Sequence, residues 1–134
     1  MIPASGNLTP DELREAVASG EIDTVIVAFT DMQGRLVGKR ISARLFLEDA
    51  MDHGAECCNY LLAVDVELNT VDGYAITSWE SGYGDMAMLP DLSTLRRTPW
   101  LPGTALVIAD LRLAGDHSPI SVSPPNAMQS SCWR

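Results

Sequence analysis

Thr24-Val25-Ile26-Val27-Ala28-Phe29-Thr30, then Asp31-Met32-Gln33-Gly34, then Arg35-Leu36-Val37-Gly38-Lys39-Arg40-Ile41 is the stretch that decides the fold. Its first seven residues are β-branched, apolar or aromatic, the composition of a buried strand. Asp31 and Gly34 stand at the two ends that a type I turn favours, and residues 36–41 return as the second strand of a hairpin. Ser42 then caps a helix carrying Leu45, Phe46, Ala50 and Met51, which Gly54 ends. Upstream, Thr9-Pro10-Asp11-Glu12 is a helix start: Thr9 caps, Pro10 suits the first helical position and Glu12 completes a capping box. Leu8 and Leu13 form a hydrophobic staple across that cap, Leu13, Ala16 and Val17 line one face, and Gly20 closes the helix.

Downstream, residues 56–64 read as a third strand, and residues 65–84, rich in Asp, Glu, Asn and Gly, as a long loop. Residues 86–89 read as a short strand ended by Pro90, and residues 104–113 as the last strand. The order helix, hairpin, helix, strands predicts an α+β domain, a mixed sheet with a helix packed across one face. Pro119, Pro124 and Pro125 oppose regular structure, and residues 126–134 lack an amphipathic period. The expected organisation is a helical segment over 1–20, one domain over 21–117, and an irregular tail over 118–134 that reads as a truncated or out-of-frame ending.

The 134 residues are 46% hydrophobic and 20% charged, a globular rather than a disordered composition. Formal charge is −9, from 18 acidic and 9 basic residues, which argues against nucleic acid or an anionic membrane as partner. The basic residues that do cluster are Arg35, Lys39, Arg40 and Arg44, and strand alternation places Arg35 and Lys39 on one solvated face. No apolar run approaches the ~18–20 residues of a membrane span. Residues 1–6 show no basic or apolar leader pattern, so the cytoplasm is the expected compartment. Three cysteines fit no disulfide framework, and Cys57-Cys58 beside His53 lacks the spacing of a zinc site, so burial as small apolar residues is expected.

Two motif matches fail on chemistry. Gly34-Arg35-Leu36-Val37-Gly38-Lys39 has three residues between its glycines where a phosphate loop needs four, and Arg40 stands where the metal-binding Ser or Thr belongs. Asp65-x-Glu67-x-Asn69 begins like a calcium loop, but Thr70 replaces the turn glycine and Ile76 the bidentate glutamate. A carboxylate-rich segment is left: Asp65, Glu67, Asp72, Glu80 and Asp85, interleaved with Tyr74, Trp79 and Tyr83. It can be a solvated acidic loop. The aromatics, which need covering, also suit a concave acidic site for ammonium or an alkylammonium. No Ser-His-Asp or Cys-His constellation is evident.

Over residues 21–124 the chain resembles the N-terminal β-grasp domain of the glutamine synthetase family, a ubiquitin-like roll. The residues that carry the resemblance are Phe29-Thr30-Asp31-x-x-Gly34, Gly82-Tyr83-Gly84-Asp85, Pro90-Asp91-x-Ser93-Thr94, Pro99-Trp100, Pro102-Gly103-Thr104-Ala105 and Ser121-Val122-Ser123-Pro124. Gly-Tyr-Gly-Asp and the run Leu92-Ser93-Thr94-Leu95-Arg96-Arg97 are similar to the branch that γ-glutamylates polyamines and other amines.

That resemblance implies an ATP-dependent ligase of nitrogen metabolism, with Mg²⁺ or Mn²⁺, joining glutamate to ammonia or an organic amine through a γ-glutamyl phosphate. It implies ringed homo-oligomers in which this domain forms the amine-side wall of an active site completed by a neighbouring subunit's catalytic domain. Asp72-Gly73 followed by Trp79 matches the family spacing, so Asp72 is implied in amine binding and general-base work, with Trp79, Asp85 and Tyr74 beside the substrate. Tyr74 and Ala75 replace the serines of the ammonia-using enzyme, which suggests a bulkier or more apolar amine. The family's metal-binding glutamates, ATP loop and phosphate-binding arginines belong to a catalytic domain following Pro124, so these residues alone are expected to be inactive; Arg96 and Arg97 are expected in surface contacts only. The alternative is a free-standing ubiquitin-like β-grasp module that acts by binding proteins.

Overall fold

In the computed structural model, which describes residues 7–31, 33–71, 84–115, 117–118 and 120, each helix begins at the cap its sequence announces. Helix α1 spans Pro10–Ala18; Thr9 Oγ1 accepts the Glu12 N–H at 3.2 Å, and Glu12 Oε2 accepts the Thr9 N–H at 2.8 Å. Strand β1 (Thr24–Thr30) turns through Asp31 and Gly34 into β2 (Leu36–Ser42), where Ser42 Oγ accepts the Leu45 N–H and starts α2. Helix α2 runs through Ala43–Leu45, a π-helical turn at Phe46–Ala50, and Met51–His53. Gly54, at φ +81°, ends it, and a Cβ there would lie 2.9 Å from the Met88 carbonyl oxygen. Strand β3 (Ala55–Cys58), β4 (Asp85–Arg97) and β5 (Thr104–Leu113) complete the chain's regular elements among the described residues.

The five strands form one sheet in the order β2-β1-β5-β4-β3. β1 and β5 are parallel, and the other neighbouring pairs are antiparallel. A mixed sheet with helices on one face is the α+β arrangement the element order predicts. Alternation sets the core: Val25, Val27 and Phe29 of β1 share a face with Ala105, Val107, Ala109 and Leu111 of β5 and Met86 and Met88 of β4. Leu13 and Ala16 of α1 and Ala43, Phe46 and Ala50 of α2 join the same buried cluster.

Two strands differ from expectation. The third ends at Cys58 rather than continuing to 64, because the chain winds into a 3₁₀ turn over Asn59–Leu62. The fourth is not a short piece stopped by Pro90; it runs 13 residues, Asp85–Arg97, straight through the proline. Proline is tolerated there because β3 pairs only as far as Met88, so Pro90 lies past the last partner on that side. Between Asp91 and Arg96 the register with β5 shifts in a bulge. Buried Thr94 completes the bonding at the bulge: its hydroxyl accepts the Ile108 N–H at 2.8 Å and donates to the Asp91 carbonyl at 2.7 Å.

Candidate functional site

Residues 59–71 form the stem that leads to the acidic, aromatic segment. The 3₁₀ turn carries the chain away from β3, Val64 bridges Thr70, and the Val71 N–H donates to the Ala63 carbonyl at 2.9 Å. Asp65 closes the turn between them. Its Oδ1 accepts the N–H groups of Glu67 at 2.8 Å and Asn69 at 3.0 Å, and its Oδ2 accepts the Asn69 side-chain amide at 3.2 Å. The Asn69 backbone and side-chain donors, then the Glu67 N–H and the Arg35 charge, hold this carboxyl below its ordinary range. The calcium-like spacing thus makes an Asx-type turn, its carboxylate committed to backbone donors. At the far end, the Asn59 N–H donates to the Gly84 carbonyl at 2.8 Å, and the Gly84 N–H donates back to Asn59 Oδ1 at 3.1 Å.

Of the four site residues expected from sequence, Asp85 is exposed at the first position of β4, opposite Cys58 in the register with β3. Asp72, Tyr74 and Trp79 lie outside the described residues, as do Glu80 and Tyr83. Their covalent neighbours Val71 and Gly84 are both anchored as above.

The expectation that Arg35 shares a solvated face with Lys39 is corrected. Arg35 precedes β2 and folds back onto Asp31, whose side chain is 1% exposed. Asp31 Oδ1 accepts the N–H groups of Gln33 and Arg35 at 2.9 and 2.8 Å, and Oδ2 accepts Arg35 Nε at 2.8 Å. The two outer guanidinium nitrogens then reach the Val66 and Asp65 carbonyls, and Gln33 Nε2 donates to the Val64 carbonyl at 3.2 Å. A carboxylate four residues before an arginine, across a turn, is the sequence signal that marks this group. Lys39 is exposed, as expected, and so is Arg40.

Burial pushes the Cys57 thiol up to about 12, with Cys58 and Asp85 adding to the shift and Lys39 opposing it, so it behaves as a small core residue rather than a nucleophile. Arg97 pairs with Glu21, and Arg96 Nε donates to the Thr94 carbonyl at 3.0 Å; both arginines serve the fold. Among the described residues no three His, Cys, Asp or Glu side chains converge to hold a metal ion, and no helix is long and apolar enough to cross a membrane. Among the described residues, the carboxylates of Asp31, Asp65 and Asp91 each accept hydrogen bonds from their own turns, so these three are not free to act as metal ligands.

No protein-family model matches the chain. Individual relatives do. The chain belongs to the glutamine synthetase family, related over its length to the N-terminal region of the family's amine ligases. It is 59% identical over 124 residues to a gamma-glutamylethanolamide synthetase, GlnA4, of Streptomyces coelicolor, covering 92% of this chain and 27% of that protein. It is 37% identical over 121 residues to a glutamate–isopropylamine ligase of a Pseudomonas species, covering 90% of this chain and 26% of that one. The chain therefore spans about a quarter of the length of the relatives it matches. A solved GmaS/ADP complex superposes with a TM-score of 0.64 at 23% identity, over 88% of this chain and 24% of the other, a likeness of fold.

Proposed function

We propose that residues 21–117 are a β-grasp domain forming the amine-side wall of an inter-subunit active site in a cytoplasmic, glutamine synthetase-like ligase that joins an amine to the γ-carboxyl of glutamate. The observation that carries this reading is the 59% identity to a relative named for γ-glutamylethanolamide synthesis. The second relative is named for isopropylamine, and both names specify an organic amine rather than ammonia. Tyr74 and Ala75 fit that preference, since an aromatic and a methyl favour an alkyl group over a small hydrated ion.

In this reading Asp72 binds the amine as its ammonium form and takes a proton from it, freeing the nitrogen lone pair that attacks the activated γ-carboxyl and displaces phosphate. Trp79 and Tyr74 shield that carboxylate from water, and Asp85 adds negative charge beside it. ATP and Mg²⁺ or Mn²⁺ supply the phosphoryl activation and bind to the catalytic domain of a neighbouring subunit, outside these 134 residues. The chain alone, without that domain, turns over neither ATP nor glutamate.

The test is a fusion, after Pro124, to the catalytic domain of a related ligase. Asp72→Asn preserves shape and removes the base, and should lower amine-dependent turnover roughly 10²-fold or more with nucleotide binding intact. Unchanged turnover would overturn the assignment and move the role to Asp85, since the Asp65 carboxylate is taken up by its own turn. A free-standing ubiquitin-like module is the rival outcome; it would give no turnover in any such fusion and a protein partner that co-purifies with the chain.

A further inference from the structure

Asp31 is a buried carboxylate that the proposed chemistry does not use, and Arg35 reaches across about thirty positions of sequence to meet the stem at 65 and 66. A hairpin turn needs only the Oδ1 bonds to the Gln33 and Arg35 N–H groups. The second oxygen is spent on the Arg35 side chain, and that side chain is spent on two stem carbonyls. Gln33 adds a third carbonyl, that of Val64. Three consecutive stem residues are thus held from one turn, and Val71, the residue before Asp72, closes on Ala63 just behind them. The carboxylate and the two carbonyls are served from three separate guanidinium nitrogens in a fixed fork; an ammonium's donors all sit on one nitrogen and do not reproduce that spread.

We propose that Asp31 and Arg35 are positioning residues for the amine side of the reaction: a clasp from the β1–β2 turn that fixes where the stem 64–71 delivers the chain into residue 72. This inference rests on the function proposed for Asp72. It assigns the clasp to orientation of the stem, not to stability of the hairpin in which both residues sit.

Two variants separate those roles. Asp31→Asn retains one oxygen for the turn N–H groups but loses the acceptor for Arg35 Nε, and Arg35→Lys keeps the charge while losing the fork. In the 134-residue chain, amide exchange at Asp65 and Val71 should quicken roughly tenfold or more in either variant, the scale of a lost charge-assisted hydrogen bond. Amides of the β1–β5 pairing should stay as they are. Unchanged exchange at Asp65 and Val71, or loss spread evenly through the sheet, overturns the clasp. In the fusion with a catalytic domain, Arg35→Lys should raise KM for the amine and leave KM for glutamate unchanged. An unmoved amine KM, where Asp72→Asn has impaired turnover, overturns the positioning role. A silent Asp72→Asn instead overturns the proposed function, and the exchange result then decides the clasp by itself.

Discussion

Ile26 and Val27 are neighbours in one strand, alike in chemistry and opposite in fate. Val27 is fully buried beneath the helices with Val25, Phe29 and Val107. Ile26 is half-buried on the other face, in a groove of about 360 Å³ shared with Leu36, Gly38, Arg40, Trp100 and Leu106. On that side Leu36 is 37% exposed and Trp100 74%. A strand apolar on both faces calls for cover on both. The described residues supply it on one, where α1 and α2 lie. The difference separates residues that hold the fold from residues left for something else, and the proposed neighbouring catalytic domain is what the second set would meet.

The sharpest way to break this contrast is truncation on each face. Phe29→Ala should cost about 3–5 kcal/mol, the range for deleting a buried aromatic, whereas Trp100→Ala should stay within about 0.5 kcal/mol as an exposed substitution. Equal shifts in urea unfolding would mean that the open face is as structural as the closed one. Gly38 lines the open groove, and an added Cβ there would sit 2.1 Å from the Val27 carbonyl oxygen, so β2 would have to move off β1. Gly38→Ala should cost about 1–3 kcal/mol, the usual range for overpacking, read as a drop in Tm; an unchanged Tm would show that β2 is free to shift.

Association tests the open face directly. Sedimentation should show mass rising with concentration, and Trp100→Ser combined with Leu36→Ser should weaken that association roughly tenfold, the effect of losing one interface anchor. An ideal monomer at every concentration would count against an unpartnered apolar face. On the covered side, the raised Cys57 thiol predicts an alkaline loss. The unfolded thiol ionises from about pH 8.5, but the folded one only near 12, so its contribution is complete below the unfolded value and fades as pH rises across that window. Cys57→Ala should flatten this slope in stability measured from pH 8 upward, and a slope unchanged in the variant would place its origin elsewhere.

The smallest effect belongs to the stem. Asp65 titrates below the ordinary carboxylate range, so its bonds to Glu67 and Asn69 are intact above the unfolded value of about 4 and are lost as pH falls through the lower folded value. Protection of the Glu67 and Asn69 amides, relative to the intrinsic exchange rate at each pH, should therefore fall only in acid, and Asp65→Ala should show that loss of protection at neutral pH. Protection indifferent to pH in the native chain would remove Asp65 as the keystone of the turn.

Much of this was legible in the residues. The Thr9 capping box, the 24–30 strand, the Asp31–Gly34 turn, the Ser42 cap and the 104–113 strand each depend on interactions within a few positions, and each stands where the local chemistry places it. Pro90 misled because proline's cost in a strand depends on whether a neighbour needs its missing N–H, and that is decided by how far β3 extends. Arg35 escapes strand alternation because it stands one residue before β2 begins, within reach of Asp31.

The sequence by itself determined where the two capped helices and the hairpin begin, the order of the elements and the family, since caps and turn chemistry act at short range and a shared ancestry is carried residue by residue. Only the tertiary structure decided the register of β4 with its bulge, which face of β1 is covered, and the joining of Asp31 and Arg35 to the stem at 64–66. These contacts bridge distant positions, and their partners are backbone groups. A carbonyl at 65 or 66 is chemically the same as any other until the fold brings a guanidinium to it.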